Sequence, residues 1–267
     1  MIDGALPYLR CPVCGGTLAR PVERALRCPA GHSFDIARQG YVNLTAGRSP
    51  HSGDSAEMIA DREAFLAEGH YDFIAQALAA AADPADGLVL DAGTGTGSYL
   101  AGFLDAHPAA QGLGIDVSKP ALRRAARAHD RAAAALADLW RPIPVADASA
   151  SVILNVFAPR NGPEFHRVLR PGGLLLVVTP AADHLAELIA EFGMIKVDPD
   201  KAGRVAGALG AGFAVESTSR QRRALRLSAA ETRTLIGMTP SARHVPRDAA
   251  GTHDVTAAVD LTVYRRV

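Results

Sequence analysis

The chain has 267 residues, 48% of them hydrophobic and 21% charged, with a formal net charge of zero. That much apolar material supplies one large core with room for a small accessory unit, and it excludes a chain disordered throughout. Neutrality argues against tight, unselective binding to long nucleic acid but leaves room for a local patch that holds one RNA loop.

Met1–Leu9 lacks a basic stretch followed by a long apolar run, so no signal peptide is expected. No run of about 18 apolar residues exists either, which predicts no membrane span and a soluble, cytoplasmic protein. Only Lys119, Lys196 and Lys201 among the 28 basic residues are lysines. Arginine suits bidentate phosphate and guanine contacts, although GC-rich coding explains the same bias.

The three cysteines, Cys11, Cys14 and Cys28, all fall in the first 28 residues, and with His32 they spell C-x2-C-x13-C-x3-H. Two short glycine- or proline-flanked turns of this kind bring soft donors onto one tetrahedral ion, so the four residues are read as a closed structural zinc site. A disulfide is disfavoured in the cytosol and leaves an odd thiol. Thr17–Arg27, with Leu18, Val22 and Leu26 loosely alternating, predicts a hairpin between the two turns. Residues 1–46 are thus expected to form a zinc-binding module.

Residues 47–85 are read as connector and helices. Gly47–Asp54 is expected to be a mobile connector. Ala56–Glu68 has helical spacing, and a second helix is expected from Asp72 to about Ala82, ending at Asp83-Pro84.

Residues 86–267 carry the strongest fold signal. Gly87–Asp91 is a short apolar strand, and Asp91-Ala92-Gly93-Thr94-Gly95-Thr96-Gly97 then forms a glycine turn opening a helix. A glycine turn alone is shared with nicotinamide- and flavin-binding folds. The D-x-G-x-G-x-G spacing resembles class I S-adenosylmethionine methyltransferases, where glycines allow close backbone approach to the cofactor.

A second strand, Gly112–Asp116, ends in an acid suited to accept from both ribose hydroxyls. A helix over Lys119–Arg131 and a third strand over Ala134–Asp138 follow, with Asp138-Leu139 expected at the adenine. Asp147–Val156 contains the next strand, Glu164–Leu169 a short helix, and Leu174–Thr179 an apolar strand of the kind buried in parallel sheets. This alternation predicts an α/β, Rossmann-like class I fold. Val255–Arg265 predicts a late strand, antiparallel to the rest. Ordinary loop carboxylates remain the alternative for Asp91 and Asp116.

Taken with Cys11–His32, the segments Gln39-Gly40-Tyr41-Val42-Asn43-Leu44, Gly53–Met58, Gly69-His70-Tyr71, Asn155–Arg160, Arg170–Gly173, Thr179-Pro180, His184-Leu185 and Met238-Thr239-Pro240 extend the likeness along nearly the whole chain. The chain resembles the RlmA-type 23S rRNA guanine-N1 methyltransferases. Asp116–Ala121, Asn155–Asn161 and His184–Leu188 look closest to the actinobacterial tylosin-resistance branch.

The resemblance implies methylation of guanine 748 in a 23S rRNA hairpin of domain II, with guanine 745 as the sister branch's target. It implies macrolide resistance, S-adenosylmethionine as cofactor and a homodimer. It places zinc on Cys11, Cys14, Cys28 and His32, and cofactor contacts on Tyr71, Gly95 with Thr96, and His184. The strand end Asn155, Phe157, Pro159 and Arg160 is expected to face the transferred methyl group and shape the guanine pocket. RNA is expected to meet two arginine groups. One is Arg10, Arg20, Arg24, Arg27, Arg38 and Arg48, set against only Asp3, Glu23 and Asp35; the other is Arg220, Arg222, Arg223 and Arg226. Two rivals stay open: a small-molecule methyltransferase with a zinc lid, and a zinc-ribbon RNA-binding protein with a vestigial methyltransferase fold.

Overall fold

A computed structural model describes residues 2–47, 51–82, 86–246 and 248–267. A short helix α1 (Ile2–Ala5) leads into a three-stranded antiparallel sheet of β1 (Ala19–Val22), β2 (Ala25–Arg27) and β3 (Ser33–Asp35). The predicted hairpin is therefore β1–β2, and Ser33–Asp35 adds a third strand.

Strand β4 (Val42–Asn43) then runs parallel to the far edge of the main sheet. Helices α2 (Ala56–Ala67) and α3 (Asp72–Ala80) follow, the first N-capped by Ser55, whose hydroxyl accepts from the Met58 amide. The expected helix end at Pro84 lies outside the described residues.

The body alternates β5 (Gly87–Ala92), α4 (Ser98–Ala106), β6 (Ala110–Asp116), α5 (Lys119–Ala125), β7 (Ala132–Leu136), β8 (Ala150–Val156), α6 (Gly162–Val168) and β9 (Leu169–Pro180). Helices α7 (Ala186–Phe192) and α8 (Lys201–Leu209), strand β10 (Phe213–Ser228), helix α9 (Ala229–Gly237) and strand β11 (Thr252–Arg266) complete it. The eight-stranded sheet has the order β10-β11-β9-β8-β5-β6-β7-β4. It is parallel from β4 to β9, while β11 joins β9 antiparallel and β10 joins β11 antiparallel, as a class I methyltransferase sheet requires.

Several boundaries moved: β9 begins at Leu169 rather than Leu174 and β11 at Thr252 rather than Val255, and two shifts follow from one side chain. The helix predicted over Lys119–Arg131 stops at Ala125, because Arg131 turns inward to the carbonyls of His107 and Ala110 and the chain must start β7 at Ala132. Strand β7 accordingly begins two residues early, which leaves Asp138 and Leu139 beyond its end. β7 is four alanines and a leucine, poor strand formers by propensity. Burial on both faces of a parallel sheet overrides that preference.

The cysteine-bearing sheet does not stand apart. Leu9, Cys11, Leu18, Leu26, Cys28 and Phe34 pack in one buried cluster with Leu88, Leu90, Leu113 and Ile153 of the body. Backbone bonds from Arg10 to Pro144, Ala146 to Tyr8 and Leu44 to Leu136 stitch the junction. Among the described residues no helix is long and apolar enough to cross a membrane.

Candidate functional site

Two sites emerge. In the first, Cys28 Sγ lies 3.3 Å from His32 Nδ1, Cys11 Sγ lies 3.5 Å from the same nitrogen, and Cys14 Sγ lies 3.7 Å from Cys28 Sγ. All four donor atoms fall within 4.8 Å of one another. A tetrahedral zinc with bonds of about 2.3 Å to sulfur separates its sulfurs by about 3.8 Å. The donor set therefore fits zinc in spacing and in softness. Burial works against ionisation of Cys28, but the amide and imidazole of His32 and the two neighbouring thiols outweigh it and bring the thiol down to about 6. Four protein donors leave no vacancy, so the ion would hold the fold.

The second site lies at the carboxyl ends of β5, β6 and β7, next to the switch point of the sheet. Asp91 is buried and accepts from the Thr94 hydroxyl at 2.7 Å. Burial pushes its carboxyl up to about 7, with Thr94 opposing and Asp116 adding to the rise. Gly93, Gly95 and Gly97 all have positive φ. A Cβ on Gly93 would meet Ala158 Cβ at 2.4 Å, so only glycine lets this loop abut the turn after β8.

Asp116 uses both carboxylate oxygens to accept backbone amides, from Gly95 at 2.9 Å and Ser118 at 2.8 Å. It thereby ties the glycine loop to the start of α5, and its remaining lone pairs are what a ribose could use. Burial raises its carboxyl against these two amides. Asp138 accepts from the Trp140 amide and bonds His51 Nδ1 at 2.8 Å. Leu139 is buried beside it, and Thr96 bonds Ser98 through its hydroxyl at 2.8 Å.

Sequence reasoning missed the strap over this cleft. Ser118 Oγ donates to the Asp54 carbonyl, a Cβ on Gly53 would lie 2.6 Å from Ser118 Cβ, and Asp54 pairs with Arg62. The expected mobile connector is thus anchored at His51, Gly53 and Asp54; residues 48–50 lie outside the described residues. The Gly53–Met58 segment was the available signal, and it showed only likeness, not contact.

Tyr71, Phe157 and His184 form a third group, with His184 6.3 Å from the Tyr71 ring and 5.9 Å from Phe157. Phe157 and Leu185 are both non-glycine residues in the left-handed region, with φ of 52° and 55°. Strain of this kind concentrates at functional sites. Burial lowers His184 to about 4, so its ring is neutral, and Nδ1 accepts from the Ala258 amide. The ring hydrogen must therefore sit on Nε2. Tyr71 has a buried hydroxyl with no partner among the described residues.

Of the expected guanine-pocket residues, Phe157 and Pro159 are exposed. Asn155 is fully buried and donates to the carbonyls of Ala92 and Pro159, while its own Oδ1 has no partner. Arg160 is half-buried with an unpartnered Nε. The donor set, the glycine cradle and the orphaned Tyr71 hydroxyl fit S-adenosylmethionine. A groove of about 950 Å³ lies between α3, α4 and α5; Thr96 and Ser98 reach its wall, but none of these strand-end carboxylates lines it.

The arginine groups are partly spent. Arg20 pairs with Asp3, Arg10 turns to the carbonyls of Pro7 and Leu9, and Arg48 lies outside the described residues. On the exposed edge strand β10, Arg220 pairs with Asp260, Arg222 with Asp183, and Arg223 stands over Phe73.

A family model described as RlmA, N-terminal, matches residues 9–52, and a methyltransferase-domain model matches residues 89–173. The chain is 46% identical to the 23S rRNA (guanine(748)-N(1))-methyltransferase of Streptomyces fradiae, over 99% of each chain. It is 57% identical, over 98% of each, to a Micromonospora griseorubida protein provisionally assigned as a 23S rRNA (guanine-N(1)-)-methyltransferase. Among solved structures, a chain from the Haloferax volcanii complex of the Trm112 methyltransferase activator and its methyltransferase is 20% identical with a TM-score of 0.53. That match covers 81% of this chain and 99% of the other.

Proposed function

The chain belongs to the 23S rRNA (guanine-N1)-methyltransferases, and from that premise we propose that it methylates N1 of guanine 748, the reaction that names its Streptomyces fradiae relative. The observation that carries the reading is the contact of the Phe157–Pro159 turn with the glycine loop, where Ala158 fills the space that a Gly93 side chain would need. That contact puts the exposed Phe157 ring next to the glycine loop that would hold the cofactor.

When bound, S-adenosylmethionine supplies an electrophilic methyl group on a sulfonium. Asp91, Gly93, Gly95, Thr96 and Gly97 would hold its methionine half, Asp116 the ribose, and Asp138 and Leu139 the adenine. Tyr71 and His184 donate into the cleft. His184 is an orienting donor and not a base, because Nδ1 is already committed to Ala258 and Nε2 carries the hydrogen. Asn155 works by positioning: its amide pins the end of β8 to Ala92 and Pro159. Phe157 and Pro159 form the platform, and Arg160 offers beside it a cation with no ion pair among the described residues. Most of the rate enhancement then comes from orientation.

Residues 1–46 serve as the RNA-recognition module, 47–85 as the strap and helices over the cleft, and 86–267 as the methyl-transfer body. Arg24, Arg27 and Arg38 on the module and Arg226 on β10 are the cations offered to phosphates. Protection of a cytoplasmic ribosome against tylosin-type macrolides is the expected consequence. Two copies around one hairpin follow from the resemblance, and sedimentation with and without the hairpin tests that pairing.

The central test is methyl transfer from labelled S-adenosylmethionine to unmodified 23S rRNA, mapped by primer-extension arrest. A stop at guanine 748 is expected. A stop at guanine 745 assigns the chain to the sister branch, and cofactor binding without RNA labelling favours a small-molecule substrate.

A further inference from the structure

Helix α2 presents Met58 and Phe65 to the interior, and Arg62 shares their face at helical spacing. A cation there needs a reason. Its Nη2 reaches Asp54 at 2.7 Å and donates to the Met238 carbonyl at 3.0 Å. Its Nη1 faces the glycine loop, 3.2 Å from where a Cβ on Gly95 would stand, and makes no hydrogen bond among the described residues. A guanidinium carries five N–H donors in a rigid fork, so this side of Arg62 is unspent. Three carboxylates, Asp91, Asp116 and Asp54, lie close to it, while Arg124 and Arg127 line the groove beyond Thr96 and Ser98, where Arg124 already pairs with Glu63.

The methionine end of the cofactor is a zwitterion. Its ammonium suits Asp91, but its carboxylate would be repelled by three carboxylates unless a cation met it. We propose that Arg62 receives the carboxylate of the methionine half of S-adenosylmethionine, and that Asp54 holds the guanidinium in place until the cofactor arrives. The inference rests on the reading of this cleft as the cofactor site and is independent of which guanine is modified. The competing role for Arg62 is a staple between α2 and the end of α9, through Met238.

Calorimetry with two ligands separates these roles. S-adenosylhomocysteine has the amino-acid carboxylate; 5′-methylthioadenosine keeps the nucleoside and sulfur but lacks it. With Arg62→Met, which preserves the apolar stem, affinity for S-adenosylhomocysteine should fall about 10- to 100-fold while that for methylthioadenosine stays within about 2-fold. Arg62→Lys should recover part of the loss. Asp54→Asn, which removes the competing charge, should tighten S-adenosylhomocysteine alone by about 2- to 5-fold. Equal losses for both ligands would make Arg62 a staple, and no loss for either would remove it from the site. A weaker S-adenosylhomocysteine complex in Asp54→Asn would overturn the place-holding role. A wild-type chain that bound neither ligand would remove the cofactor reading and this inference together.

Discussion

The zinc cluster and the cofactor cleft are built on opposite principles. At the zinc end, four donors face one another and nothing is left over for a substrate. At the cleft, Tyr71 Oη, Asn155 Oδ1 and Arg160 Nε are buried polar atoms without partners among the described residues, and Phe157 and Leu185 hold strained backbone. A structural site satisfies itself. A working site keeps unsatisfied groups in place at the expense of stability, and the surrounding sheet must carry that penalty.

The sharpest way to break the comparison is at the metal. Cys14→Ala leaves three donors, and the ribbon shares its buried cluster with β5, β6 and β8. Loss of zinc should therefore spread beyond the first forty residues, removing several kcal/mol and lowering Tm by about 10 °C or more. Metal analysis, limited proteolysis and scanning calorimetry read this directly. Stoichiometric zinc with an unmoved Tm would show that the cluster is not the metal centre.

What could be read from the chain follows the same division. The cysteine spacing and the Asp91–Gly97 turn are local, because each packs its chemistry into a few consecutive residues, and the structure assembles both. Arg62, Asp54 and His51 were invisible because their roles exist only once α2 and the strap fold across loops distant in sequence. Strand β10 went unrecognised for a different reason. It is an exposed edge whose serines, arginines and glutamine carry no apolar alternation. Overextension of α5 came from alanine and arginine, good helix formers that the demand for β7 overrode.

The cleft also has a pH signature of its own. Burial holds the Asp91 carboxyl at about 7, well above its unfolded value of 3.8. Between those values the folded chain keeps a proton that the unfolded chain has lost. Stability from this group is therefore full below about pH 4 and declines as pH rises toward 7. A cofactor ammonium requires the ionised form. Affinity for S-adenosylhomocysteine should fall by up to about tenfold for each unit below pH 7, with close to one proton released on binding. Titrations in two buffers of different ionisation enthalpy measure that proton. Asp91→Asn should bind weakly at every pH, with the slope gone. A pH-independent wild type would mean that Asp91 does not meet the ammonium.

The smallest effect carries the most specific information, because its two readouts move in opposite directions. The Tyr71 hydroxyl is buried without a partner among the described residues, and burial raises its pKa beyond the ordinary phenol range. Phe65 and Phe73 meet the Tyr71 ring edge-on, at 5.1 and 6.0 Å, so a phenylalanine fills the same space. Tyr71→Phe removes an unsatisfied polar atom and should stabilise the cofactor-free chain by about 1 kcal/mol, or about 2–4 °C in Tm. The same change removes a donor from the cleft and should weaken S-adenosylhomocysteine about tenfold. Thermal melts with and without the ligand read both quantities on one sample. If the variant lost stability and kept full affinity, the hydroxyl would belong to the fold, and the contrast between a self-satisfied zinc end and a cleft held ready for its ligand would lose its clearest case.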